Sequence, residues 1–506
     1  MPLDAARCRS IPLDAARCRR SLSGLPFRPM HDHFIGGRWI TGSGGPLIAV
    51  NPINHPYPFT TRKAVPAEVS AAVEAAAAAQ SGWSTTPSEQ RDAILKNYAQ
   101  TLQRKKESLA AQISDEVGKP LWESGQEVDA MIRKVDLSIQ AYHERTGTRE
   151  RPLNDSLSVI SHRPHGIVVV LGPFNFPGHL PNGHIVPAIL AGNCVLFKPS
   201  EFTPGVGALM VECWSEAGLP AGVLNLLQGD RTTAESILSD PRINGVYFTG
   251  SAAAGISIHQ RFAGRPDVIL ALEMGGNNAM IALSSSMEAA RTATVSAFLT
   301  SGQRCTCTRR LIVVGDADQV LAPLTECARQ IKVGPPHAKP FMGPVIHRSA
   351  AERVLTFQKR LIAESASVLE ECRPTELGLP YLRPGIVDVT NVRNRVDEEI
   401  FGPLLQVIRV SNLDQAIEEA NNTRFGLAAG LLGGTREQFQ TFREQVRAGV
   451  INWNRPTTGA SSAAPFGGIG ISGNHRPTAL YAADYCAYPI ATLQSEKLQS
   501  PVFEGL

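Results

Sequence analysis

Between His165 and Gly276 the chain repeats one texture: a short unbroken apolar run, a loop, a helical segment, and another run. The runs are "GIVVVLGP", "NCVLFKPS", "GVLNLLQG", "NGVYFTGS" and "DVILALEMGG". A strand with one face in water alternates apolar with polar residues. These do not, so both faces of their sheet must be covered, and the amphipathic segments between them predict a parallel sheet with helices on both sides. After Gly275 a second cycle begins with "NNAMIAL", a helix from about Met287 to Ser301, and the strand "RLIVVG". A second α/β domain follows. No Ser/Gly linker separates the two cycles, so the domains are expected to pack closely.

Upstream, "HFIGGRWITGSGG" (33–45) reads as a short hairpin with Gly-containing turns. Three helical stretches come next, the second running unbroken from Pro87 to Gly118 and the third opening at Pro120. The extreme N-terminus is unlike a folded core: "PLDAARCR" occurs at 2–9 and again at 12–19. It has no apolar h-region and carries Asp4 and Asp14, so it is not read as a targeting peptide. Residues 1–29 are read as a disordered extension upstream of a natural start near Met30.

Composition excludes several classes. A net charge of +3 spread over 506 residues leaves no footprint for nucleic acid or an anionic membrane. No window approaches a membrane-spanning length of apolar residues. Nine cysteines, an odd number at irregular spacings, fit a reducing cytoplasm better than a disulfide framework.

In an open parallel sheet, ligands bind at the carboxyl ends of the strands, so the polar residue after each run is the one to note. These are Asn175, Lys198 with Glu201, Ser251 and Glu273. Each has a plain alternative: a turn former, a solvated lysine, a helix cap, a salt-bridge partner. Gly250, Ser251 and Gly255 of "GSAAAG" bracket a strand-to-helix turn, where free N–H groups favour a phosphate. Lys198 and Glu201 together suit the two hydroxyls of an adenosine ribose. A carboxylate there would repel a 2′-phosphate, which favours NAD over NADP. Cys305 and Cys307 have no second Cys/His pair to complete a metal site. They are therefore two inert thiols or one activated thiolate. Cys305, beside Arg304 and behind the turn allowed by Gly302, has the surroundings to lower a thiol pKa, helped by any helix N-terminus that follows; Cys307 is the structural candidate.

"LGPFNFP", "KPSEFTP", "FTGSAAAG", "LEMGGNN", "GQRC", "EEIFGP" and "PFGGIGISG" occur in the order and approximate spacing of the NAD(P)-dependent aldehyde dehydrogenase superfamily, which the chain resembles from about His33 to its end. The resemblance implies an α/β, aldehyde dehydrogenase-like fold: two Rossmann-type parallel-sheet domains plus a small β oligomerisation flap. It places an NAD-binding domain at 30–145 and 164–272, a catalytic domain at 273–463, and the flap at 146–163 and 484–506, in a homodimer or homotetramer. It implies Cys305 as nucleophile, Glu273 as general base and Asn175 as oxyanion donor, with Glu399 and Phe401 at the nicotinamide ribose. The interval from Glu273 to Cys305 is slightly shorter than the usual pattern, which a trimmed loop in "LSSSMEAARTA" would explain. The stretch 452–489 resembles, within that superfamily, the group acting on N-succinylglutamate 5-semialdehyde in the arginine succinyltransferase pathway. Such a substrate carries two carboxylates, for which Arg304 and Arg476 are the candidate partners. His179 and His184 are candidates for lining an access tunnel. Competing expectations are a dehydrogenase of glutamate or succinate semialdehyde, a cysteine esterase without redox function, and a silent scaffold.

Overall fold

A computed structural model of the chain describes residues 32–50, 52, 56–498 and 505. The expected N-terminal extension, 1–29, lies outside the described residues. All five apolar runs form strands of one seven-stranded sheet, in the order Ile269–Met274, Ile243–Gly250, Ile167–Leu171, Cys194–Lys198, Leu224–Leu226, His33–Ile35, Arg38–Ile40. The first five are mutually parallel, and the "HFIGGRWI" hairpin adds the last two antiparallel. Every residue of Ile167–Leu171 and of Cys194–Lys198 is buried. Each such Val, Leu or Ile contributes about 1.5–3 kcal/mol, which explains why the runs carry no alternation. The helix His179–Ala191 is buried from Leu180 to Ala191, as an apolar-all-round helix must be.

One expectation is corrected in the helical region. The stretch from Pro87 to Gly118 is two helices, Ser88–Arg104 and Lys106–Val117, broken at Lys105. Leu102 and Leu109 are both buried, so the apolar period crosses the break unaltered and hides it. Lys105 pairs with Glu212 and Glu216, while Lys106 leaves for Asp129 on the long helix Leu121–Arg145.

The second sheet also has seven strands, ordered Ser367–Glu370, Gly385–Asp388, Leu404–Val410, Arg310–Val314, Ala279–Ala282, Ala428–Leu432, Val450–Trp453. All are parallel except the first, an antiparallel edge. A three-stranded antiparallel sheet, with Leu157–Pro164 between Arg149–Pro152 and Ala487–Gln494, forms the flap. It starts later at its C-terminal end than expected. Residues 482–486 are helical, and Tyr485 and Cys486 pack into the first core. The boundary after 272 also cuts the strand Ile269–Met274, and the segment after 463 returns to it. Gly473 bridges Glu273, and Asn474 bonds Leu272 in both directions. Gly473 has φ +141°, and a Cβ there would stand 2.3 Å from the Leu272 carbonyl oxygen, so the close approach needs glycine. Among the described residues, no helix is long and apolar enough to cross a membrane.

Candidate active site

The helix Met287–Phe298 does not run on to Ser301. Thr300 and Ser301 take positive φ of 56°, and Gly302 one of 71°, so the chain turns sharply into Cys305. Asn175 Nδ2 donates to the Gln303 carbonyl at 2.9 Å, bringing the amide from the first sheet to the cysteine loop of the second. Asn278 Nδ2 donates to the carbonyls of Cys305 and Cys307, at 2.6 and 2.9 Å. The buried Arg309 donates to the carbonyls of Gly302 and Arg304 at 2.6 and 3.0 Å. These bonds fix the turn from inside.

Cys305 is half-buried and opens onto a cavity of about 380 Å³, whereas Cys307 is fully buried and its Sγ donates to the Leu299 carbonyl at 3.6 Å. The seven described cysteines are all free thiols. Among the described residues no group of three His, Cys, Asp or Glu gathers as a metal site. Burial first, then the carboxyls of Glu273 and Glu399, push the Cys305 thiol well above its ordinary value, with Arg309 opposing. The expected lowering by Arg304 is not found. That guanidinium turns to Glu123 at 2.7 Å and to Thr300 Oγ1 at 2.6 Å, and no helix begins after Cys305 to supply a dipole.

Glu273 is wholly buried and neither carboxyl oxygen has a hydrogen-bond partner. Burial raises its pKa well above the carboxylate range, Arg476 opposing and Glu399 adding. Glu399 is raised to about 7, again by burial first, with Arg309 opposing at 3.7 Å. Its Oε1 has no hydrogen-bond partner and its Oε2 would stand 1.7 Å from a Cβ on Gly275, so a side chain there would force the Glu399 carboxyl to move. Phe401 meets Phe174 edge-on with centroids 5.9 Å apart, and Arg309 lies 5.5 Å from its centroid. The carboxyls and the thiol thus gather where the carboxyl ends of the first sheet face loops entering the second.

On the other side of that meeting point, Lys198 is buried, donates to the Pro199 carbonyl at 2.9 Å and lies 4.0 Å from Glu201. Burial lowers its pKa, with Glu201 opposing. Ser251 caps the helix Ala252–Arg261 by accepting from Ala254 N. Gly250 and Gly255 leave no space for a side chain: a Cβ would stand 2.4 Å from Phe248 and 2.0 Å from Met274 Sδ respectively. A buried lysine beside a carboxylate, a helix N-terminus and the Glu399 oxygen that lacks a hydrogen bond fit a dinucleotide carrying ribose hydroxyls and phosphates.

The remaining predicted residues divide. His179 lines the cavity with its Nδ1 unpartnered, whereas His184 is a core residue, bonded to Tyr485 Oη at 2.8 Å and Thr249 Oγ1 at 3.1 Å. Arg304 lines the cavity, but Arg476 does not. Its Nη1 donates to the Gly468 carbonyl at 2.7 Å and its charge acts on Glu273. The sequence reading missed Asn278, Arg309, Arg133 and Lys134. For Arg309 a signal existed: two arginines lead directly into the apolar run "LIVV". In the Glu273-to-Cys305 interval a short loop joins the strand Ala279–Ala282 to the helix starting at Met287.

Comparison with known proteins agrees with this architecture. Residues 39–489 match the aldehyde dehydrogenase family. The N-succinylglutamate 5-semialdehyde dehydrogenase of Ectopseudomonas mendocina (strain ymp) is 52% identical over 478 residues, 93% of this chain and 98% of that protein. The enzyme of the same name from Pseudomonas fluorescens (strain Pf0-1) is 50% identical over the same shares. The solved structure of 1-pyrroline-5-carboxylate dehydrogenase from Thermus with bound NAD is 30% identical, with a TM-score of 0.86 over 92% of this chain and 93% of that one. With the family motifs, both sheets and the converging cleft in agreement, the chain belongs to the aldehyde dehydrogenase family and is an enzyme of NAD(P)-dependent aldehyde oxidation.

Proposed function

We propose that the protein oxidises N-succinyl-L-glutamate 5-semialdehyde to N-succinyl-L-glutamate with NAD, in arginine catabolism, through a thioester on Cys305. The observation that carries the reading is the charge of the cavity onto which Cys305 opens. Arg133, Lys134 and Arg304 line it, and Lys119 lies close enough to act on His179 within it. A dicarboxylate aldehyde suits such a wall. The two relatives that bear this substrate in their names, each at half identity or better over nearly their whole length, support it.

Burial favours the proton-bearing form of the Cys305 thiol and of the Glu273 carboxyl in the resting site, so each releases its proton to solvent before it acts, the thiol as nucleophile and the carboxylate as base. Loss of the thiol proton lets Sγ add to the aldehyde carbon, and the Asn175 amide and the Cys305 backbone N–H are the donors for the resulting oxyanion. The bound dinucleotide supplies the acceptor for the hydride, and the thioester remains on Cys305. Glu273, unpartnered and within electrostatic reach of the thiol without bonding it, then takes a proton from the water that hydrolyses the ester. Lys198 and Glu201 hold the adenosine ribose, which favours NAD. Gly250, Ser251 and Gly255 flank the phosphates, and Glu399 and Phe401 orient the nicotinamide end. Ile160, Tyr488 and Leu493 are exposed on the flap, and this apolar strand surface supports a homodimer or homotetramer that would cover it. Free thiols throughout the described chain suit the cytoplasm.

NADH formation from N-succinylglutamate, glutamate and succinate semialdehydes, each with NAD and with NADP, tests the reading. The succinylated substrate with NAD is expected to give the highest kcat/KM. An undiminished kcat/KM without the succinyl group would overturn the substrate assignment, and equal rates with NADP would overturn the cofactor preference.

A further inference from the structure

The long helix Leu121–Arg145 turns one stripe toward the cavity, Glu123, Glu127, Ala130, Arg133 and Lys134, at the spacing that places residues on one face. The charges on that stripe are not equivalent. Glu123 accepts from Arg304 Nη2 at 2.7 Å. Glu127 is occupied on both oxygens, one by Lys119 and the other by the N–H groups of Gly178 and His179 at 2.9 and 3.0 Å. Lys134 is buried and donates to the Thr478 carbonyl. Arg133 is exposed and, among the described residues, has neither a hydrogen bond nor an ion pair.

Its field nevertheless reaches the interior. After burial, the cations Lys134, Lys119, Arg133 and Arg304 hold His179 at about 3, so the imidazole is neutral. Burial lowers Lys134 to about 7, so it is only partly charged near neutrality, yet with Lys119, Arg133 and Arg304 the wall still carries more positive charge than its two carboxylates, which suits a substrate with two carboxylates. The α-carboxylate of an N-succinylglutamate semialdehyde is a few bonds from the aldehyde and stays deep, near Lys134 and Arg304. The succinyl carboxylate is about twice as many bonds away, which carries it toward the exposed rim where Arg133 stands.

We propose that Arg133 is a specificity-determining residue, its guanidinium pairing at the cavity mouth with the distal carboxylate of the substrate's succinyl group. The assignment rests on the semialdehyde reading above. A forked guanidinium is free, aimed at the cavity and matched to a carboxylate bidentately, whereas the other cations of the wall already hold protein oxygens.

The test compares wild type, Arg133→Met and Arg133→Lys on N-succinylglutamate 5-semialdehyde and on its N-acetyl counterpart, which keeps the aldehyde and the α-carboxylate and lacks the distal one. Loss of a charge-assisted pair is expected to lower kcat/KM of Arg133→Met for the succinyl substrate about 10- to 100-fold, through KM rather than kcat. The N-acetyl substrate should lose no more than about threefold, and Arg133→Lys should recover part of the loss. If wild type prefers the succinyl substrate and Arg133→Met keeps that preference, or loses equally on both substrates, the Arg133 assignment is overturned while the substrate reading stands. If wild type shows no preference, the substrate reading falls and the assignment with it. The side chain is exposed, so unchanged thermal midpoints are expected for both variants.

Discussion

The two sheets meet at the cleft by opposite ends. The first offers the carboxyl ends of its parallel strands, from which Asn175, Lys198, Ser251 and Glu273 emerge. The second offers the loops that enter its strands: Asn278 precedes Ala279–Ala282, Cys305 and Arg309 precede Arg310–Val314, and Glu399 precedes Leu404–Val410. The difference teaches a division of labour. The first half brings an amide, an ammonium and a buried carboxyl that its own strands hold rigid. The second brings Cys305, the proposed nucleophile, on a left-handed turn that is tied down from below by Asn278 and Arg309.

The largest effect should come from breaking the second half at its tip. Cys305→Ala is expected to lower NADH formation at least about 10⁴-fold, because a covalent route has no substitute nucleophile. Cys307→Ala should keep kcat within about threefold and cost about 1 kcal/mol of stability, since its Sγ fills a buried site beneath the loop and makes one weak bond to the Leu299 carbonyl. The pair is informative together. Steady-state rates for both variants, beside their thermal midpoints, would show the roles to be exchanged if Cys307→Ala were the inactive one.

Next in size are two changes in the first half that the proposed chemistry separates in time. Glu273→Gln is expected to lower kcat about 10²- to 10³-fold at the hydrolysis step while leaving a burst of NADH equal to the enzyme present. Asn175→Ala should cost about 10²- to 10³-fold without a burst, because an oxyanion donor acts before hydride leaves. Rapid-mixing absorbance distinguishes them. A burst in Asn175→Ala and none in Glu273→Gln would reverse the roles.

The same contrast explains what the sequence made legible. Buried parallel strands announce themselves as apolar runs, so the first half could be found by one rule, the polar residue after each run. The rule has no counterpart for residues that precede a strand, and Cys305, Glu399 and Phe401 came to notice through their cysteine chemistry or through family resemblance. Asn278 and Arg309 act on backbone carbonyls distant in the chain, contacts that no local pattern encodes. The surroundings of Arg476 were hidden for a related reason. An arginine near a glycine-rich tail reads as free, yet here the tail folds back onto the strand Ile269–Met274 and one guanidinium nitrogen donates to the Gly468 carbonyl. The break at Lys105 was invisible because the apolar period continues through it.

The smallest expected effect concerns Glu399, where the two halves touch through Gly275. Its carboxyl is held at about 7 because burial outweighs the attraction of Arg309. Sign follows from direction: a raised carboxyl is neutral below that value and becomes an acceptor for ribose hydroxyls only as pH rises through it. In the free enzyme kcat/KM for NAD should therefore climb several-fold between about pH 6 and 8. Stability should move the other way, since a carboxyl that binds its proton more tightly when folded favours the folded state below its unfolded value and loses that contribution as pH rises through about 7. Glu399→Gln removes the titration, and its kcat/KM for NAD should be flatter over that window and lower at the alkaline end by about tenfold or less. A profile that keeps its rise in Glu399→Gln would move the titration to another group, Glu273 first, since its oxygens share the same dry pocket and act on the same thiol.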